Sequence, residues 1–143
     1  MAVKNGTRLP VSQAEVFPNG CHLIPESITE AQDYNEQTRE RTPAIDKVTG
    51  KRVWQVRVSD MDADLAGRSR EVVVKILADR EPSPPTGQPF EMVEFENLTV
   101  TPYVDTGRCQ GRGRCGARIA FSLRASGLKA ARQQPQHQAK DAA

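Results

Sequence analysis

The chain has 143 residues, of which 37% are hydrophobic and 27% charged, so it has the length of one domain with an economical core. No apolar stretch approaches the roughly 20 residues of a membrane helix, and the opening MAVKNGTRLP lacks the apolar run of a signal peptide. The net charge is only +2, and three cysteines, an odd number, do not fit a secreted disulfide framework, so we expect a cytoplasmic protein without a membrane partner.

Two short strands are predicted in the first third of the chain, at CHLI (21–24) and TPAID (42–46). Between them, PESITEAQDYNEQTRER has some helical propensity but little apolar period, so a short helix and an irregular loop fit equally well. The second strand leads into KVTGK, a polar turn in which Gly50 is free to take a positive φ.

Four later segments alternate apolar and polar residues, which is typical of half-buried β-strands. They are RVWQVRVSD (52–60), REVVVKILA (70–78), NLTVTPYV (97–104) and ARIAFSLR (117–124). The proline-rich REPSPPTGQP (80–89) predicts a long connection, because proline cannot donate to a strand ladder.

Five or six short strands in about 105 residues predict a mainly β fold. We expect a small antiparallel barrel of the oligonucleotide-binding type, or a sandwich, since closure removes exposed strand edges. Residues 1–127 would form this single domain, and 128–143 a disordered basic tail with almost nothing to bury. The predicted core is Trp54, Val56, Val58, Val72, Val74, Ile76, Leu98, Val100, Ile119, Phe121 and Leu123.

Charge is distributed unevenly along the chain. Residues 1–105 carry 12 Lys and Arg against 17 Asp and Glu, whereas 106–143 carry 8 against a single acid, Asp141. This split favours an anionic partner at the carboxyl-terminal end, for which nucleic acid is the commonest candidate. A solvated basic tail is the alternative.

The segment TGRCQGRGRCGAR (106–118) concentrates glycine, arginine and two of the cysteines. Cys109 and Cys115 have neither zinc-knuckle spacing nor a second pair; Cys21 and His22 would complete a ligand set only if a strand were distorted. A reversible disulfide between Cys109 and Cys115 is a second alternative. We favour a pliable loop whose arginines clamp phosphate, with no metal and no cofactor.

The segment DMDADLAGRSRE (60–71) places acids at four positions of a calcium-binding loop, but Leu65 stands where that loop needs glycine, so we interpret it as a solvated connection. No nucleophile elbow, phosphate-binding loop or paired acid and base is present in the sequence, and we expect a protein without enzymatic activity.

The outward positions of the predicted strands are polar and cationic, and they suit phosphate contacts and base stacking. We expect these cations to form one continuous stripe with the arginine-rich loop. The predicted nucleic-acid-binding residues are Arg57, Lys75, Tyr103, Arg108, Arg112, Arg114, Arg118 and Arg124.

Five segments of the chain resemble one known family. They are VFPNG (16–20), IDKVTGKRVWQVRVSD (45–60), VVVKI (72–76), PFEMVEFENLTVTPYV (89–104) and ARIAFSLRASGLKA (117–130). In this order they resemble the plasmid replication, integration and excision activators of actinobacterial integrative and conjugative elements. The similarity spans most of residues 8–130.

This resemblance implies a regulatory protein that switches on the replication, integration and excision of a mobile element. We expect it to act by binding DNA, with single and double strands both open. The alternative is a protein–protein adaptor that recruits replication or transcription proteins of the same element without touching DNA.

Overall fold

A computed structural model describes residues 3–107 and 116–131 and shows a mainly β chain. Its strands, in chain order, are β1 (Leu9–Pro10), β2 (Cys21–Leu23), β3 (Thr29–Glu30), β4 (Gln32–Asn35), β5 (Glu40–Pro43), β6 (Val53–Asp60), β7 (Glu71–Leu77), β8 (Val93–Glu96), β9 (Thr99–Asp105), β10 (Arg118–Ala125) and β11 (Gly127–Ala130). The helix α1 (Gln13–Val16) and a short 3₁₀ helix (Gly67–Arg70) complete the elements. Among the described residues, no helix has the length and apolar character needed to cross a lipid bilayer.

Seven of the strands form one main sheet with the order β1-β9-β10-β7-β6-β2, and β3 pairs with β6 beside that path. The centre is the antiparallel pair of β6 and β7, whose register sets Val56 opposite Val74 and Val58 opposite Val72. The β-branched residues that alternate along both strands fit a pleated surface with one buried side. The mainly β class predicted from the alternating segments is therefore confirmed.

Strands β8 to β11 form one long hairpin that bends sharply. Next to the connection between β9 and β10, these two strands pair with each other inside the main sheet. Farther from that connection, β8 pairs with β11 in a separate two-stranded ribbon. At the bend, Asn97 has a φ of 52° and its side-chain amide donates to the Ser126 hydroxyl at 2.9 Å. The amide of Ser126 also donates to the Glu96 carbonyl at 2.8 Å, so both strands turn together.

The bend folds the β8–β11 ribbon over one face of the main sheet, and the core lies between these two layers. We call this side of the main sheet the core face. Phe95 packs there against Phe17, with ring centroids 6.1 Å apart. The buried residues of the core are Phe17, Cys21, Leu23, Trp54, Val56, Val58, Val74, Ile76, Val93, Phe95, Leu98, Leu123 and Ala125.

The predicted antiparallel barrel is wrong. The main sheet ends in β1 and β2, which do not pair with each other, and β7 pairs with β10 in parallel. Layering of the bent ribbon buries the apolar residues without closure. Within the described residues, strand pairing between β2 and the segment of the ribbon is limited to an isolated bridge of His22 with Met92. The predicted number of five or six strands is also too low, because β1, β3, β4, β8 and β11 gave no separate pattern.

The segment between β2 and β6 contains strands instead of the predicted short helix or loop. β4 and β5 form a hairpin closed by the Arg39 amide, which donates to the Asn35 carbonyl at 2.7 Å. Every residue of both strands is exposed, so no apolar alternation marks them in the sequence. The predicted strand at 42–46 lies slightly earlier, at Glu40–Pro43.

The first residues of the predicted tail, 128–130, belong to a strand. β11 runs to Ala130 and pairs with β8, and Leu128 packs against the core. A single apolar side chain in a polar sequence was too weak a signal for a strand. Residues 132–143, the rest of the predicted disordered tail, lie outside the described residues.

Two predicted core residues, Ile119 and Phe121, are instead 70% and 63% exposed. Their side chains point to the same face of the sheet as the buried Leu123. However, the first residues of β10, which include both, lie beyond the edge of the core. Alternation gives the side of a strand on which a residue lies, whereas burial requires a layer above it. Val72 and Val100 are half-buried, and the other predicted core residues are buried.

Truncation of Ile76 and of Ile119 to alanine should distinguish a buried position of the core from an exposed position at the start of β10. Ile76 is fully buried, so Ile76→Ala should lower the free energy of unfolding by about 2–5 kcal/mol. Ile119→Ala removes the same atoms from an exposed position and should change it by less than about 0.5 kcal/mol. Urea denaturation followed by circular dichroism measures both; similar losses would contradict this placement.

Candidate nucleic-acid interface

The face of the main sheet opposite the core gathers the described residues of the predicted site. We call it the polar face. Lys75 on β7 lies between Gln55 on β6 and Arg124 on β10, because the register pairs it with both. Successive residues of a strand point to opposite faces, so the polar face also carries Arg57, Thr101, Tyr103, Arg118 and Ser122.

Three of the predicted residues, Arg108, Arg112 and Arg114, lie outside the described residues, as do Cys109 and Cys115. The chain enters that segment after Gly107 and leaves it at Gly116. These positions border the ends of β9 and β10 that extend past the core. We call this extension, residues 101–105 with 118–122, the arm.

Two cations of the polar face are paired with carboxylates. Arg57 lies 3.1 Å from Glu71, and Arg118 lies 3.5 Å from Asp105 across the arm. All four side chains are at least a third exposed, so each pair adds little stability. The carboxylates nevertheless offset nearby positive charge, and the expected continuous basic stripe is interrupted at both places.

Lys75 and Arg124 remain as neighbouring cations near the middle of the polar face. In the described part of the chain, neither forms a salt bridge with a carboxylate. The Arg124 guanidinium donates to the Thr101 hydroxyl at 3.4 Å, which is a long hydrogen bond. Partial burial, and then the positive charge of Arg8, lower the pKa of Arg124, although arginine stays charged at neutral pH.

Sequence reasoning missed Arg8, which borders this site. The guanidinium binds Asp46 through two hydrogen bonds, one of them 2.9 Å long. Asp46 also accepts from the amide and hydroxyl of Thr49, in a turn that Gly50 closes with a φ of 73°. These contacts, Arg8 first, hold the pKa of Asp46 well below its usual range. A lone arginine ahead of a two-residue strand gave no sequence signal.

The Arg8–Asp46 pair should make stability depend on pH. The pKa of Asp46 is lowered in the folded state, so its contribution is complete above about pH 5 and declines as pH falls through the unfolded value near 3.8. Asp46→Asn should therefore cost roughly 1.5–3 kcal/mol at pH 7.

The difference between Asp46→Asn and the wild type should shrink toward pH 2, as measured by urea denaturation across the pH range. Asp33→Asn, at an exposed carboxylate of β4, serves as the matched control and should change stability by less than about 0.5 kcal/mol. A loss for Asp46→Asn that stays constant from pH 7 to pH 2 would contradict the assigned ion pair.

A cleft opens in the main sheet between β7 and the arm. The parallel pairing of these strands covers only Val74–Ile76 with Leu123–Ala125, and before these residues the strands diverge. The cleft has a volume of about 580 Å³. Its lining residues are Glu71, Val72, Val73, Lys75, Thr101, Tyr103, Phe121, Ser122, Leu123 and Arg124. Alternation cannot reveal where two strands separate, so no pattern in the sequence indicates the cleft.

The charge of the described residues is itself slightly negative. Five of the 20 Lys and Arg and one of the 18 Asp and Glu lie outside them, which leaves 15 cations against 17 acids. Attraction for a polyanion therefore depends on how charges are distributed over the surface. On the polar face, Lys75 and Arg124 are two neighbouring cations, next to the arm, that can supply such attraction.

The zinc and calcium alternatives gain no support from the described residues, which contain no group of three or more potential metal ligands. Cys21 is fully buried in the core, where its thiol contacts the Val93 carbonyl at 3.5 Å. His22 points the other way, and its Nδ1 lies 2.8 Å from the Phe90 carbonyl. The expected opposition of these two neighbours is confirmed.

Burial should make Cys21 inert in the folded protein. Desolvation raises the pKa of its thiol from 9.0 to about 12, so at pH 8 the reactive thiolate is roughly a thousandfold rarer than for an exposed cysteine. In a Cys109→Ser, Cys115→Ser background, iodoacetamide should label Cys21 only after denaturation, as read by mass spectrometry. Labelling in the native state at the rate of a free thiol would contradict this.

Comparisons of the chain with protein-family models, with curated proteins and with solved structures find no match. The resemblance to the replication, integration and excision activators thus stays a prediction that rests on the five quoted segments.

Proposed function

We propose that this chain is a non-enzymatic accessory of a mobile genetic element that binds DNA on its polar face. The observation that carries the proposal is the adjacent pair Lys75 and Arg124, which the strand register sets side by side with the exposed Tyr103 nearby. Two cations can hold neighbouring phosphates while an aromatic ring stacks on a base.

Single-stranded DNA fits this face better than a duplex. Tyr103 is 51% exposed, and a ring with that freedom can stack only on a base that has left its own stack. The longest α-helix among the described residues has four residues, too few for the recognition helix of a helix-turn-helix protein. The polar face is exposed at Arg57, Val73 and Tyr103, and an exposed strand surface is the kind on which oligonucleotide-binding proteins hold single strands.

The link to replication, integration and excision comes from the sequence resemblance. An accessory that captures single strands would assist where an element's origin or ends are opened. Arg108, Arg112 and Arg114 would extend the phosphate contacts beyond the polar face, because their segment joins the two strands of the arm.

Fluorescence anisotropy with a labelled 15-mer of oligothymidylate tests this proposal. Lys75→Gln should weaken binding and reduce the slope of log affinity against log salt by about 0.7, the value for one lost phosphate contact. Tyr103→Ala should weaken binding by about 1–3 kcal/mol with little change in that slope.

Lys129→Gln is the matched control, because Lys129 is exposed on β11, outside the polar face. It should leave the affinity within about twofold. A duplex of the same length provides the second arm, and tighter binding of the duplex would reject the preference for single strands. Absence of binding to both DNAs at low salt would reject DNA binding altogether.

A further inference from the structure

Among the residues that the structure describes, two strand edges inside the main sheet lack a strand partner. The start of β7 (71–73) pairs with β6 on one side, and the start of β10 (118–122) pairs with β9 on one side. Their other sides face each other across the cleft, and no strand pairing within the described residues joins them there. Unpaired strand edges offer backbone donors and acceptors to another extended chain.

The strand edges that line the cleft set the length of segment it can pair with. Three residues of β7 (71–73) and five of β10 (118–122) precede the parallel pairing of these strands. A strand residue advances about 3.3 Å, so the shorter edge extends over about 10 Å and can pair with about three residues of an inserted strand.

The walls of the cleft differ on the two faces of the sheet. On the core face, the wall is apolar, with Val72, Leu123 and the 63% exposed Phe121. On the polar face, it presents Lys75 and Arg124, while the only acid of the lining, Glu71, is paired with Arg57. Side chains of an inserted strand would point alternately toward these two walls.

We propose that the cleft binds an extended peptide of a partner protein in which acidic and apolar residues alternate. The peptide adds a strand between β7 and β10, with its apolar side chains against Phe121 and its carboxylates against Lys75 and Arg124. This proposal goes beyond DNA binding and does not depend on it. Such docking is the contact that the adaptor hypothesis requires.

A labelled heptapeptide, Glu-Val-Glu-Val-Glu-Val-Glu, is the probe for fluorescence anisotropy with the full chain. A control peptide of the same composition, with four glutamates followed by three valines, keeps the charge but cannot serve both walls. The alternating peptide should bind at least about tenfold more tightly. Equal binding of the two peptides would overturn the proposal, since net charge would then suffice.

Phe121 and Ile119 provide a matched pair of variants on the same face of the arm. Only Phe121 lines the cleft, and both side chains are exposed, so neither substitution should unfold the protein. Phe121→Ser should weaken binding of the alternating peptide at least about fivefold, whereas Ile119→Ser should leave it within about twofold. Equal effects of the two substitutions would overturn the proposal.

Backbone pairing has its own test, which leaves the protein unchanged. Methylation of alternate amide nitrogens along one edge of the peptide removes donors without changing its charge or side chains. The methylated peptide should bind at least about tenfold more weakly than the unmodified one. Unchanged binding would show that the peptide does not add a strand. Retained binding of oligothymidylate by Phe121→Ser would separate peptide docking from DNA binding on the polar face.

Discussion

The bend at Asn97 and Ser126 is the constraint on which the rest of the structure depends. It divides one long hairpin into a half that belongs to the main sheet and a half that covers the core. Hydrogen bonds on both strands hold the two bends at the same level of the hairpin. Without this turn, Val93 and Phe95 would continue along the plane of the main sheet, and its apolar face would lack a covering layer.

The same bend limits one end of the junction that borders the candidate site. Because β11 leaves the plane of the main sheet after Ala125, the pairing of β10 with β7 ends there and comprises only three residue pairs. At the other end of this junction the two strands diverge, and the cleft opens between β7 and the arm. Lys75 and Arg124 lie where the strands still meet, so the polar face and the cleft share one pair of cations. In the described main sheet, β7 and β10 are the one pair of neighbouring strands that run parallel. The two cations and the unpaired strand edges both lie at this pair.

The sequence predicted what period-two alternation can encode. The central strands, their buried valines and the polar side of Arg57, Lys75 and Arg124 follow from the face on which each residue lies. Exposed Ile119 and Phe121 show the limit, because alternation contains no information about where the covering layer ends. The bend, the cleft and the Arg8–Asp46 pair depend on contacts between distant parts of the chain, which no local pattern specifies.

The junction of β7 with β10 joins residues about 50 positions apart, as Val74 opposite Leu123 shows. Pairs so distant in sequence form late, since a long loop must close before they contribute. During synthesis, β6 and β7 leave the ribosome well before β10 is made. Until then, the edge of β7 that pairs with β10 has no partner strand. The synthesis of β10 therefore decides when the main sheet can be completed, and until then the nascent protein exposes an unpaired edge of β7 that can pair with other strands.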